Sequence, residues 1–384
     1  MGRIHQWGTA AAVFCICQLL HAGHPEFFTP MVDPPEWLLW DADLRLRALG
    51  GYRDNALLAE TNRQSVPFMG WGGELLVTHL PLDSHSFELL VSGDDRRYTH
   101  PLDPGLGNSS ATGERSVTAQ MSYKYYLGKR WLPSLVVRDN YTDNVFDATS
   151  VLSRYSVRAQ WHDISVVPSL RYTLPHRVWL EGGYEWNRNL FSEPLDSSWE
   201  AGPKASVGWD FGANNSLQLK YRYADVTYDS LPASDSFGNP VADTIQHFAA
   251  QRVELVWTQE WLESPRLRTT LRPYYGRNTD LAESRYYSFN RFGLAGSLQL
   301  TIGRLTLEGA LRWSADDLEY EAVSQVRLLE ALTLEEWQAR CRADWRLTHH
   351  LSLIGEFTHE RLRSNRTLTG YRTSLAWGGL EWRF

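Results

Sequence analysis

The chain has 384 residues, a formal charge of −7 and 13% aromatic residues, with 17 Trp and 18 Tyr among them. Mean hydropathy is −0.39, and beyond the N-terminus no stretch reaches the roughly 18 apolar residues of a membrane helix, which excludes a helical membrane protein with several spans. No basic stripe interleaved with aromatics is present, so a nucleic-acid partner is not expected.

In chain order, a processing signal comes first. Arg3 supplies a positive start, an apolar run follows from Trp7 to Leu20, and Leu20-His21-Ala22 offers a cleavage site. The run is too short to span a bilayer and reads as a signal peptide over 1–22. A membrane anchor or a buried helix is the alternative. Cleavage removes Cys15 and Cys17 and leaves Cys341, so the mature chain is expected to hold no internal disulfide. Residues 23–36 form a short periplasmic segment in this reading, and 37–384 form one domain.

From Trp37 onward the dominant signal is two-residue alternation. Val117, Ala119, Met121, Tyr123 and Tyr125 alternate with Ser116, Thr118, Gln120, Ser122 and Lys124. Val178 to Trp186, Leu217 to Tyr223, Leu305 to Trp313 and Trp337 to Leu347 repeat the pattern. Residues two apart share a strand face, so each segment has one greasy side and one polar side. In a secreted chain this fits a closed barrel, which satisfies every backbone group in lipid without a helix. A soluble sandwich also alternates, but with fewer Tyr and Trp on the apolar face.

Connectors alternate in length. Short ones fall near Leu82–Ser84, Gly128–Lys129, Leu174–His176, Ala213–Asn214, Glu263–Ser264, Gly303 and Thr348–His349. Long polar ones fall near 54–68, 93–114, 139–150, 187–198, 225–244, 277–285, 314–333 and 363–368. The pattern predicts an all-β chain, a single antiparallel transmembrane β-barrel of about 16 strands (roughly 14 to 18), with short periplasmic turns and long extracellular loops. Residues 151–174 read as one long strand or two short ones. Residues 320–338 have a partly helical look and read as a structured outer loop. Pro133, Pro168, Pro203 and Pro273 fall inside predicted strands, where each deletes a ladder hydrogen bond unless it sits at a bulge or beyond the bilayer.

The chain closes with Gly379-Leu380-Glu381-Trp382-Arg383-Phe384, in which Leu380, Trp382 and Phe384 share a face. This resembles the last strand of Gram-negative outer-membrane barrel proteins, which end in an aromatic residue, usually Phe. The resemblance implies an outer-membrane location, lipid and lipopolysaccharide as surroundings, and recognition of Leu380, Trp382 and Phe384 by the barrel-assembly machinery. Gly50-Gly51-Tyr52-Arg53-Asp54-Asn55 resembles the first strand of other outer-membrane barrels, including exporters that carry periplasmic helical repeats; residues 23–36 leave no room for such repeats.

Splitting charge by face places Arg222, Arg252, Arg268, Arg272, Arg312, Arg340, Arg342 and Arg346 in the lumen. The same register brings in Arg45, Arg47, Lys124, Arg171, Lys204, Lys220, Arg266, Arg291, Arg304 and Arg383, against Asp41, Asp43, Glu181, Glu185, Asp210, Glu254, Glu308, Asp344, Glu356, Glu360 and Glu381, and leaves the lumen net positive. The excess acid is then expected in outer loops, at Asp94, Asp95, Asp139, Asp143, Asp147, Asp225, Asp229, Asp316 and Asp317. Rings of Arg favour anions in a pore, so the expectation is a porin-like channel for small polar solutes, anionic ones included. The alternatives are a structural or assembly barrel with a closed lumen, or the outer-membrane pore of a polysaccharide or protein export system with a separate periplasmic partner.

Catalysis is not expected. His350 two residues before Ser352 lies at a periplasmic turn facing the lumen, the wrong place for a lipase, and His247 near Asp243 is a loose candidate for a protease. His79, His85, His100, His349 and His359 have no metal-ligand spacing, so neither metal nor cofactor is predicted. Oligomeric state leaves no mark on the sequence.

Overall fold

A computed structural model describes residues 40–384, apart from 61–62, 80–83, 103–110, 148–155, 193–194, 213, 236–238, 264, 283, 323–330 and 366–369. The signal peptide, the segment 23–36 and the expected strand start at Trp37 lie outside the described residues.

Sixteen strands run up and down and close on themselves, each bonded to its sequence neighbours and β1 to β16. They are β1 (Trp40–Asp54), β2 (Val66–His79), β3 (His85–Leu102), β4 (Ala111–Tyr125), β5 (Trp131–Asp147), β6 (Ser156–Thr173), β7 (Val178–Phe191), β8 (Ser198–Asp210), β9 (Ser216–Tyr228), β10 (His247–Glu263), β11 (Arg266–Asp280), β12 (Phe289–Ile302), β13 (Leu305–Ala322), β14 (Ala331–Arg346), β15 (Leu351–Ser364) and β16 (Tyr371–Arg383). Every pair is antiparallel. Closure removes the edges that would leave backbone groups unpaired in lipid.

Alternation decides the two faces. Ion pairs reach between strands that are not neighbours, such as Arg47 on β1 to Asp94 on β3 and Arg53 on β1 to Glu114 on β4. Side chains from such strands converge only on the concave side, so these positions face the lumen. The convex face carries exposed apolar residues, including Leu294, Leu298, Leu307 and Leu311. Two levels of tryptophan bound that band. Trp40, Trp131, Trp209, Trp345 and Trp382 stand at the short-turn end, and Trp71, Trp186, Trp199 and Trp337 at the other. Trp337 and Trp345 are eight residues apart on β14. At about 3.3 Å per residue and a tilt of about 40°, that is roughly 20 Å along the membrane normal, close to the apolar band of an outer-membrane barrel. Leu380, Trp382 and Phe384 share the outward face at the short-turn end, and the Phe384 N–H donates to Leu44 O at 2.9 Å.

The prolines need neither a bulge nor a place beyond the bilayer. Pro168, Pro203 and Pro273 face outward, and each keeps full register with one neighbour strand. On the other side the ladder is interrupted at the proline and resumes within a few residues: between Val166 and Ser169 toward β7, between Ala201 and Lys204 toward β9, and between Tyr274 and Leu271 toward β10. A proline lacks only the N–H that points to one side, so the deficit stays local. Pro133 sits just outside the β4 pairing, which begins at Ser134.

Two expectations are corrected. Strands outrun their expected ends on the long-loop side, because alternation continues past the membrane: Asp94 and Asp95 lie within β3, Asp139, Asp143 and Asp147 within β5, Asp225 within β9, and Asp316 and Asp317 within β13. Of the acids assigned to loops, Asp229 is in a connector. Residues 320–322 and 331–338, read as a partly helical loop, belong to strands β13 and β14, and 323–330 lies outside the described residues. The ambiguous stretch 151–174 holds the single strand β6.

Candidate functional site: the lumen wall

All eight arginines singled out in the sequence lie on the lumen face of their strands, but they do not form one set. Arg222 on β9 is held by Glu185 on β7 and Glu200 on β8, at 2.9 and 2.8 Å. Arg252 on β10 bonds Glu254 at 2.8 Å and lies over the Tyr274 ring at 4.0 Å. Arg340 on β14 bonds Glu356 at 2.6 Å. Among the described residues, no carboxylate lies within ion-pair distance of Arg268, Arg272, Arg312, Arg342 or Arg346.

The register explains why two of these stand together. Arg272 (β11) pairs with Ala295 (β12), which pairs with Arg312 (β13), which pairs with Gln338 (β14). One step toward the short turns the row is Thr270, Ser297, Ala310 and Arg340. Short side chains between the arginines leave a niche of about 290 Å³, lined by Arg272, Arg312, Arg340, Thr270, Ser297 and Gln338. Arg272 and Arg312 are exposed within it. A guanidinium on a water-filled wall keeps its charge and five donors, and here nothing else on the wall takes them.

The opposite treatment appears around the β1–β16 seam. Arg45 bonds Asp43 at 3.0 Å, and Asp43 also accepts from Arg383. Arg47 reaches over β2 to Asp94 with two bonds of 3.0 and 3.2 Å. It passes above Gly72, where a Cβ would collide with both side chains. Arg53, whose side chain is only 12% exposed, pairs with Glu114, and the Tyr98 hydroxyl donates to the same carboxylate at 2.6 Å. Beside this cluster Leu49, Phe68, Ile354 and Trp377 form an apolar patch on the inner wall. The β1–β2 connector tucks Ala56, Leu57 and Ala59 against Val66 and Leu102, pinned by Asn55, which donates to Ala59 O and Arg372 O at 2.7 Å.

The expected positive lumen is therefore corrected. Glu74, Asp94, Glu114, Asp163, Glu200, Glu260, Asp280, Asp316 and Glu336 also share the inward face, and they bring the wall close to balance. Asp316, for instance, takes both donors of Arg291 at 2.6 and 2.5 Å. Positive charge is local to β11–β14 rather than general. Extending the alternation toward the long loops is the signal that finds Glu114, Asp280 and Asp316.

Among the described residues, neither of the two histidine pairings considered in the sequence forms. His247 bonds Asp225 at 2.8 Å on the outer face rather than Asp243, and His350 Nδ1 lies 2.9 Å from Arg383 O. Among the described residues no three His, Cys, Asp or Glu side chains gather as a metal site.

No protein-family model and no curated protein matches the chain. Among solved structures, OccAB4 of Acinetobacter baumannii is similar over 90% of this chain and 98% of its own, at 9% identity and a TM-score of 0.48. OccAB1 of the same organism gives 90% and 96%, 9% identity and 0.46. A bacterial polysaccharide outer membrane secretin gives 89% and 97%, 12% identity and 0.38. The chain is a closed antiparallel β-barrel of 16 strands, even in strand number and girdled by aromatics, as barrels that span a membrane are.

Proposed function

We propose that the barrel is a passive channel for small polar solutes, with a preference for anions set by the β11–β14 wall. The observation that carries this reading is the pair Arg272 and Arg312, set in one row across Ala295 with no carboxylate beside them. An arginine kept only for structure has a partner, as Arg53 and Arg222 do. One left facing water in a lumen offers its field to a passing ion, and Arg and Lys linings favour anions. A barrel of 16 strands is of the class that leaves an aqueous channel.

A second reading is a barrel with a closed lumen. The dense pairing at the seam and the inward-packed β1–β2 connector favour it. Single-channel recording of the refolded chain in a planar bilayer under a salt gradient separates the two. Steady current with anion preference supports the channel. A barrel that is folded by its heat-modifiable gel mobility yet silent supports closure.

A further inference from the structure

The wall from β5 to β10 is unlike both the seam and the arginine niche. It lines a cavity of about 840 Å³ with Arg138, Asp163, Asn187, Asn189, Glu200 and Lys204 among its residues. Its strongest charges already face one another, since Arg222 is shared by Glu185 and Glu200. Glu200 also accepts from Asn189 at 3.3 Å, and Asp163 accepts from Asn140 at 3.2 Å. Bonding on this wall is incomplete, however. Arg138 Nε, Asp163 Oδ1 and Asn187 Oδ1, on three adjacent strands, have no partner among the described residues. One donor and two acceptors are thus unmet side by side, next to amides and carboxylates held in place by their neighbours. One inward step toward the extracellular end, Trp161 and Phe191 are paired across β6 and β7, with ring centroids 5.9 Å apart and planes 27° apart.

We propose that this wall binds the sugar rings of a saccharide solute, with hydroxyls meeting Asn187, Asn189 and Glu200 and a ring face lying against Trp161 and Phe191. A hydroxyl both donates and accepts, so it satisfies an amide or carboxylate oxygen and a guanidinium N–H alike. It does so without pulling Arg222 away from its two glutamates. A zwitterion such as a dipeptide has to compete for those ion pairs. The aromatic pair supplies the apolar surface that the C–H face of a pyranose needs, an orientation of apolar platform and fixed polar groups common to small-molecule sites. The proposal rests on the channel reading only for delivery of solute to the wall.

The test uses the full-length mature barrel refolded in a detergent without a sugar head group. Maltotriose, cellotriose and raffinose are added in turn to a conducting bilayer, with glycylglycine as the zwitterionic control. Binding is also measured by calorimetry, which needs no conductance. The expected result is reversible interruption of the current by at least one trisaccharide, with matching heat. Trp161→Ala and Asn189→Ala each weaken it, the first by about three- to tenfold for a lost stacking contact. Asn189→Asp, nearly isosteric, guards against a folding defect. An open channel that none of the three sugars interrupts or binds overturns the saccharide site and leaves the channel standing. A silent barrel that still binds sugar overturns the channel and leaves the site standing. Interruption by glycylglycine with no effect of the sugars overturns the site in favour of zwitterions.

Discussion

On the seam wall, Arg45, Arg47 and Arg53 each meet a carboxylate, and the chain packs an apolar patch and a buried connector against them. On the β11–β14 wall, Arg272 and Arg312 have Ala295 and Gln338 as row neighbours and stand in the open. Both walls come from the same alternation of greasy and charged residues. The difference lies in what each guanidinium reaches: at the seam a carboxylate, on its own or a farther strand, ties the charge into the frame, whereas Ala295 between Arg272 and Arg312 leaves both open to the lumen. An arginine's role is thus set by the partners within its reach rather than by its strand.

Arg53→Ala breaks this comparison most severely. It leaves Glu114 buried without its strongest partner and Tyr98 donating into it, which costs about 3–5 kcal/mol as for other broken buried pairs. Arg312→Ala changes stability by less than about 0.5 kcal/mol, as for an exposed group without partners. Urea unfolding in detergent micelles measures both. Equal losses would show that the two walls do the same job.

Selectivity should respond in the reverse sense. Arg272→Glu with Arg312→Glu shifts the zero-current potential under a salt gradient toward cations. The shift shrinks between 0.1 and 1 M salt, as the screening length falls from about 10 to 3 Å. Arg53→Lys, which keeps a charge at the seam, leaves the potential where it was. If the double reversal moves nothing, the arginine niche is not on the ion path.

Gly72→Val sharpens the seam side. A side chain there displaces the Arg47–Asp94 pair from its crossing of β2, at about 1–3 kcal/mol by the usual cost of overpacking. Gly182→Val, at an open outward position, is tolerated, and the same unfolding measurement compares them.

The smallest effect lies outside the membrane. Arg188 bonds Asp229 through both carboxylate oxygens, one of them at 2.7 Å, and holds that carboxyl below the ordinary aspartate range. The folded value is the lower one, so the pair's contribution is present at neutral pH. It fades as pH falls through the lowered folded value. Carbon NMR of labelled aspartate should find this midpoint depressed, and Arg188→Gln should raise it; an unchanged midpoint would mean the contact is not kept in solution.

Most of the architecture was legible because period two survives any one substitution: all the short turns and the inward face of all eight arginines follow from it. The partners of those arginines were not legible. Asp94 and Asp316 sit past the apolar band, where the lipid-facing half of the pattern turns polar and the alternation loses its contrast, so they read as loop. Arg53 and Glu114 are three strands apart around the barrel, and adjacency of that kind depends on curvature, which no local pattern records. The saccharide wall was missed for a related reason, since Asn187, Asn189 and Asp163 were assigned to no face.

The long strands have a consequence for the cell surface. About 9–11 residues cross a membrane as a tilted strand, whereas β3, β6 and β13 have 18. The surplus stands above the bilayer as a stiff paired sleeve, so an outside observer such as an antibody or a phage meets ordered sheet as well as loop. Its epitopes are assembled from neighbouring strands and vanish on boiling. Sera raised against the boiled chain should therefore stain blots and miss intact cells, and sera raised against the refolded barrel should do the opposite.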